Sequence, residues 1–380
     1  FVSRSGAARD LYSLCNRALH RLPGRLAIAT VTGNAIFAAI TGVSIAAAAT
    51  FSRLAYPEMV AHGYKRTFSL GVIAGSACLG MLIPPSILLI VWAILTEESI
   101  GALFIAGLLP GLLLALAFCL YCVAAAMLSP ATAPASGERT QTAPTPEELR
   151  SELTGGLSIL FLILLVIGGI WGGLLTPTEA AGVGAVGATL LAIFNRQLSF
   201  AVLREVCERS ALTTGMLFGI FVGATCFSFI FRTLGGEHLI IEFIQATGVG
   251  PWSILLVLML MIFLLGFFFD WIEITLIVLP VFGPVVSKLD FGTHLAGFEG
   301  VGEVALIWFT ILVSVNLQTS FLTPPFGFAL FYMKGVAPPQ VTIQHIYRGI
   351  IPFVVLQLGG LALCILFPAI VLWLPMKLLM

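Results

Sequence analysis

Apolar runs of eighteen or more residues recur along the chain, divided by short clusters of proline, glycine and charge. Each is long enough to cross a hydrocarbon core of about 30 Å as a helix. In order these runs, with one shorter stretch of sixteen residues at 179–194, fall near residues 25–59, 67–95, 100–128, 155–174, 179–194, 211–231, 251–286, 304–333 and 346–374. Two of them break at a double proline, IPP at Ile83–Pro85 and TPP at Thr323–Pro325. Two more are interrupted by polar residues, TGVS at Thr41–Ser44 and FFFDWIE from Phe267 to Glu273. No ten-residue alternating pattern with turn punctuation is present, which argues against a β-barrel. The pattern predicts an all-α polytopic membrane protein.

The order interrupted stretch, double-proline stretch, long span occurs twice. GMLIPPSILLI (Gly80–Ile90) and SFLTPPFGFALF (Ser320–Phe331) are the paired landmarks of an internal repeat. If each interrupted stretch is a re-entrant hairpin, an odd number of crossings separates the two repeats, so they lie inverted in the membrane. Lysine and arginine test this topology independently. It puts fifteen of the eighteen basic residues on one side and only Arg232, Lys288 and Lys377 on the other. The basic side is cytoplasmic. The chain then divides into an amphipathic, interfacial segment (1–24), a first repeat (25–128), a cytoplasmic linker (129–152), intervening helices (153–234) and a second, inverted repeat (235–380).

Composition agrees. The chain is 59% hydrophobic and 9% charged, with mean hydropathy +1.08, whereas a soluble domain carries about a quarter charged residues. A net charge of zero gives no support for a nucleic-acid partner. Cys119 and Cys122 form a CxxC inside an apolar run with no second ligand pair, so packing is the expected role. The first residue is Phe1, and the opening segment does not read as a signal peptide.

Candidate chemistry sits at the interruptions. A helix breaks at membrane depth only where protein or a wet cavity shelters its backbone. Proline removes an N–H and frees carbonyls one turn back. At Gly80, Ile83 and Pro84, and again at Ser320, Thr323 and Pro324, freed carbonyls are suitable ligands for a desolvated cation. A packing kink is the competing reading at either break alone. At the hairpin tips stand Thr41, Gly42 and Ser44, and Gly266, Asp270 and Glu273. An ionisable group at membrane depth costs about 2.5 kcal/mol or more and is a functional candidate by default. Asp270 is therefore a candidate, although Asp270 with Glu273 also reads as a helix cap. Asn34, Asn316 and Gln318 are polar residues in apolar runs, each divided between site and interhelical glue. TPTEA (Thr176–Ala180) reads as a capping box. The histidines fall in or beside loops. GVSIA (Gly42–Ala46) partly matches the serine motif of intramembrane proteases, but no membrane-depth base or HExxH accompanies it, so no enzyme is expected. A channel would need a continuous polar lining that the spans do not show.

GRLAIATVTGNAIFAAITGVSIAAAATFS, YPEMVAHGYKRTFSLGVIAGSACLGMLIPPSILLIVWA, GGLLTPTEAAGVGAVGA and NLQTSFLTPPFGFALFYMKGVAP resemble, in this order, the large membrane subunit of tripartite ATP-independent periplasmic (TRAP) transporters. The resemblance implies a sodium-driven elevator carrier of the bacterial inner membrane, in which hairpins and broken helices slide past scaffold helices. It implies no cofactor beyond Na+ as coupling ion. The implied partners are a small membrane subunit and a periplasmic substrate-binding protein that delivers an organic acid such as a dicarboxylate or a sialic acid. Carried over by motif, one cation site would use Thr41, Gly80, Ile83 and Pro84, and the other Gly266, Ser320, Thr323 and Phe326. Gly42, Ser44, Asp270 and Asn316 would face substrate. Phe326 stands where many members carry a small residue. The family usually has further helices before the segment with which this chain opens, so part of the scaffold is expected to be missing. The alternative is an elevator carrier of dicarboxylates or other anions that works alone.

Overall fold

The computed structural model describes residues 7–42, 44–129, 131–134, 146–236, 239, 242, 250–298, 302–324, 327–338 and 340–379. Among these residues the fold is all-helical, with fifteen α-helices and no strand. An opening helix α1 (Ala7–Ala18) is followed by α2 (Arg25–Thr41) and α3 (Ser44–Ala61), then by α4 (Arg66–Ala77), a 3-10 turn (Cys78–Met81) and α5 (Ile87–Thr96). The long span α6 (Ile100–Leu128) closes this part. Next come α7 (Pro146–Trp171), α8 (Pro177–Phe194) and α9 (Phe200–Thr233). The remainder is α10 (Pro251–Leu265), α11 (Trp271–Ser287), α12 (Val304–Leu322), α13 (Phe328–Val336), α14 (Ile343–Leu366) and α15 (Ala369–Leu379).

Six of these helices are long and apolar enough to cross a membrane by length and composition, within α6, α7, α8, α9, α12 and α14. The protein is a multi-pass membrane protein. All four interruptions lie where the sequence places them, because each carries a residue that ends a helix locally. Gly42 closes α2 at φ 62°, with its N–H donated to the Ala38 carbonyl oxygen at 2.7 Å; this left-handed conformation suits glycine. Thr176 caps α8 in the expected box. Its hydroxyl accepts from Glu179 N–H (3.3 Å), and the Glu179 carboxylate accepts from Thr176 N–H (2.8 Å).

Two elements differ from the sequence reading. α7 begins at Pro146, inside the segment read as linker, since proline at a first helical position loses no intrahelical bond. The final run is two helices, because Pro368 cannot continue α14 and the Phe367 N–H ends it on the Leu363 carbonyl oxygen (2.8 Å). The central part of the linker, 135–145, lies outside the described residues.

The core is built around α12. Its membrane-length window is 89% buried, although Thr310, Ser314, Asn316, Gln318, Thr319 and Ser320 are all on it. α9 is the opposite case, with none of its window buried and Phe218, Val222 and Phe229 exposed. One face of α9 packs on α11 through Leu217, Ile220, Phe221 and Ala224; the remainder, apolar and uncovered, is suited to lipid. α14 packs on α4 through Gly71 and Gly349, whose backbones touch, and α12 locks to α14 by the Trp308 indole N–H donating to the Cys364 carbonyl oxygen (2.9 Å).

Candidate functional site

Each hairpin lies on the first half of the broken helix that follows it, α2 on α4 and α10 on α12. Polar ties hold both pairs. Asn34 Nδ2 donates to the Ile73 carbonyl oxygen (3.1 Å) and to Ser76 Oγ (2.9 Å), and Asn316 Nδ2 donates to the Met259 carbonyl oxygen (2.7 Å). Ser76 and Asn316 each stand eight residues before the first proline of their break. One turn further toward the break, glycine brings the elements together. A Cβ on Gly80 would lie 2.6 Å from Ala38 Cβ and 3.0 Å from the Ala38 oxygen, and one on Gly266 would lie 2.6 Å from Ser320 Cβ. In the first pair the glycine follows α4, in the second it follows α10; the contact is alike.

The second halves pack crosswise. α3 packs against α13, and α11 packs against α5. Both tips thereby converge on the start of α5. A Cβ on Gly42 would lie 2.9 Å from Ile87 Cγ1, and Ile87 packs on a cluster of Val91, Ile272 and Leu276 that Trp271 also borders.

The first break presents two polarities. Leu79 oxygen accepts from the N–H groups of Leu82 (3.0 Å) and Ile83 (2.8 Å), and Met81 oxygen accepts from the Ser86 hydroxyl (2.8 Å). No hydrogen bond among the described residues ends on the carbonyl oxygens of Gly80, Ile83 or Pro84. Ser86 is the N-cap residue of α5, yet its hydroxyl turns back to Met81 and does not cap α5. The leading N–H groups of α5 thus keep their positive end. Thr41 Oγ1 donates to the Phe37 oxygen (3.1 Å), and Thr323 Oγ1 donates to the Thr319 oxygen (2.7 Å). With each hydroxyl proton directed into its own helix, the oxygen lone pairs point away from it.

The residues singled out as facing substrate are placed differently from one another. Ser44 is 5% exposed at the hairpin tip, and its hydroxyl has no partner among the described residues. Asp270 is half-buried as the N-cap of α11. Its Oδ1 accepts from Trp271 N–H (2.8 Å), and Glu273 Oε2 accepts from Asp270 N–H (2.6 Å). Asn316 ties α12 to α10. Phe326 lies outside the described residues, as does Pro325. Cys119 and Cys122 are free thiols on α6, and the described residues hold no cluster of three His, Cys, Asp or Glu suited to a metal. The sequence reading missed Ser76 and Gln357; the second is a fully buried amide within the final apolar run, and that isolation was its signal.

Asp270→Asn is expected to preserve the cap, since Asn and Asp rank alike as N-caps, whereas Asp270→Ala should cost about 1 kcal/mol of stability. Thermal unfolding of the two variants in lipid checks this; equal loss in both would show that the carboxylate's charge is needed.

Two cavities lie along α5, one at its start beside the first tip and one at its far end. One of about 350 Å³ borders Thr41, Gly42, Pro85 and Ile87 and is otherwise walled by Ile40, Ile90, Phe104 and apolar residues of α7 and α8. The other, about 610 Å³, lies between α5, α9, α11 and the start of α12, with Glu97, Glu303, Thr225 and Ser228 in its wall. Neither is lined by Ser44 or Asp270.

Comparison with known proteins places this architecture. The family described as tripartite ATP-independent periplasmic transporter, DctM component, matches residues 1–370. The chain is 34% identical to the C4-dicarboxylate TRAP transporter large permease protein DctM of Pseudomonas aeruginosa, over 99% of this chain and 83% of that one. It is 29% identical to the ectoine TRAP transporter large permease protein TeaC of Halomonas elongata (98% and 82%). It is 27% identical to the sialic acid TRAP transporter large permease protein SiaM of Vibrio cholerae (98% and 83%). These are transport permeases and not enzymes, and the chain belongs to the DctM family of TRAP transporter large permeases.

Proposed function

We propose that this permease imports an organic acid across the bacterial inner membrane by sodium symport. One observation carries the reading: both hairpin tips meet at a helix break that offers unbonded carbonyl oxygens on one side and uncapped N–H groups on the other. Carbonyl oxygens suit a desolvated cation, and the N-terminus of a half-helix suits a carboxylate. Na+ takes the carbonyls of Gly80, Ile83 and Pro84 with Thr41. A second Na+ takes the equivalent positions at Gly266, Ser320, Thr323 and Phe326. The substrate carboxylate faces the start of α5 near Gly42 and Ser44. Asp270 and Asn316 set the shape of the opposite tip through the bonds they make to α11 and α10. Cation binding orders both tips, and each tip completes the anion site only when ordered.

The matched contacts 34–76 and 259–316, the matched glycine contacts and the crosswise packing support two inverted repeats that move as one body. In an elevator cycle that body slides past the remaining helices. A small membrane subunit and a periplasmic binding protein complete the system; the chain is 30% identical to an isethionate permease named DctMQ in Oleidesulfovibrio alaskensis, over 55% of that protein's length. The experiment is uptake into proteoliposomes holding this chain and its small subunit, with a binding protein outside and an inward sodium gradient. Transport is expected only with all components and with sodium. Equal uptake without the binding protein would establish the stand-alone carrier instead.

A further inference from the structure

The cavity at the start of α5 touches the first helix break on one side and is apolar everywhere else. Thr41, Gly42, Pro85 and Ile87 make its border with the break. A Cβ built on Gly42 would lie 3.5 Å from the Ile87 nitrogen as well as 2.9 Å from Ile87 Cγ1. Glycine at position 42 thus places no side chain over the leading nitrogen of α5, and both residues border the cavity. No hydrogen bond among the described residues is donated by the N–H groups of Ile87, Leu88 or Leu89.

The rest of the lining comes from α5, α6, α7 and α8. Ile90 and Phe104 form one part, Leu162, Val166 and Ile170 another, and α8 contributes only proline, alanine and glycine between Pro177 and Ala188. Ala181 and Ala185 stay exposed, which leaves a way in. No lining residue is charged, and Thr41 carries the only polar side chain. Its proton is already given to the Phe37 carbonyl oxygen (3.1 Å). Glu179 stands beside Ala180 in sequence but does not line the cavity, and its carboxylate accepts from Thr176 N–H (2.8 Å).

These walls decide what an organic acid can carry besides its carboxylate. A second carboxylate would find neither a cation nor a side-chain donor there, and a charge without partners is costly to desolvate. The hydroxyls of a sugar acid would be left unpaired in the same way. An apolar body meets matching walls and gains with every carbon it buries. Size agrees, since an apolar cavity of about 150 Å³ takes a benzene molecule and this one is about 350 Å³. We infer that the substrate is a monocarboxylate with a branched alkyl or aromatic body, its carboxylate at the start of α5 and its body in this cavity. The inference rests on the reading that places the substrate carboxylate at α5, and adds to it the class of acid.

The test is the thermal midpoint of the complete permease with its small subunit in lipid nanodiscs, in saturating sodium, titrated with isocaproate, succinate and isocaproamide. Isocaproate is expected to raise the midpoint at a concentration about a hundredfold below that needed of succinate, through burial of its alkyl carbons. Isocaproamide, which lacks the charge, should raise it little. Ala181→Leu and Ala185→Leu each put a side chain into the cavity from α8. Both should raise the half-saturating isocaproate concentration about tenfold or more and leave the response to sodium as in the parent. Succinate acting at the lower concentration would overturn the inference and leave the carboxylate site at α5 standing. No shift with either acid would overturn that site, and the inference with it. Equal shifts with isocaproate and isocaproamide would make the cavity a site for apolar molecules without a carboxylate contact, and would overturn the inference as well. An isocaproate response unchanged in both leucine variants would place the body outside this cavity and refute it.

Discussion

Gly349→Leu is expected to leave little folded permease in the membrane, while Gly359→Leu, further along the same helix, is expected to leave yield, midpoint and uptake close to those of the parent. The two glycines differ only in what a side chain would meet. A Cβ on Gly349 would run into the Thr67 carbonyl oxygen and lie 3.0 Å from the Gly71 nitrogen, and one on Gly71 would lie 3.1 Å from the Gly349 Cα. These are backbone atoms of α4, which cannot swing aside as a side chain can. Inserting methylenes into a packed core costs about 1–3 kcal/mol where neighbours can adjust. Here the two helices must separate. Separation of α14 from α4 would also shift Phe353, which packs on Gly75, and through α4 the first break itself. A Cβ on Gly359 meets nothing within 4 Å. Small residues at helix crossings in membranes owe their value to such close approach. Expression as a fluorescent fusion, followed by size-exclusion profile and thermal midpoint, reads both variants. Equal behaviour would mean that α4 and α14 do not cross at these glycines.

The sequence made the breaks legible because each is carried by a residue whose covalent structure forbids a helix. Pro84, Pro324 and Gly42 announce themselves in any apolar run. The cap at Asp270 was equally readable from the spacing to Glu273, as was the one at Thr176 and Glu179. What distance along the chain could not show is which broken half each hairpin touches. Own first half and opposite second half is a fact of tertiary packing, made by α3 on α13 and α11 on α5. Asn34 and Asn316 show the same limit from another side. Their amides could have faced a ligand or a neighbouring carbonyl, and only the register of α2 against α4 and of α10 against α12 decided for the carbonyl. Pro368 was overlooked because a single proline in a long span more often kinks a helix than ends it, and Gln357 because one amide does not lower the hydropathy of its run. Residues read as a group by motif, such as Ser44 with Asp270, do not line either of the two cavities along α5.

Thr41→Ala and Thr323→Ala should each weaken the response to sodium, and the double variant should abolish it. Both hydroxyls stand at the end of a helix, and both donate their proton to the carbonyl four residues back. That bond fixes the oxygen with its lone pairs outward and cannot compete with a cation for them. A contact of this type to a charged group is worth ~1.5–3 kcal/mol, so its loss should raise the half-saturating sodium concentration about ten- to a hundredfold. The fold should tolerate the change, because the helical backbone does not depend on the hydroxyl. The readout is the thermal midpoint of the purified permease against sodium, with choline holding ionic strength constant. For the parent, a bound ion stabilises the native state by about 2.7 kcal/mol at a hundredfold excess over its dissociation constant. If the two breaks hold separate ions, each single variant keeps half of the response and the effects add. If the tips order together, either variant alone flattens most of the curve, and the cross-packing of each tip on the start of α5 is the route by which one break reports to the other. Sodium curves in both single variants that overlay the parent would remove these hydroxyls from any cation shell, and would leave the freed carbonyls of Gly80, Ile83 and Pro84 to bind an ion without side-chain help.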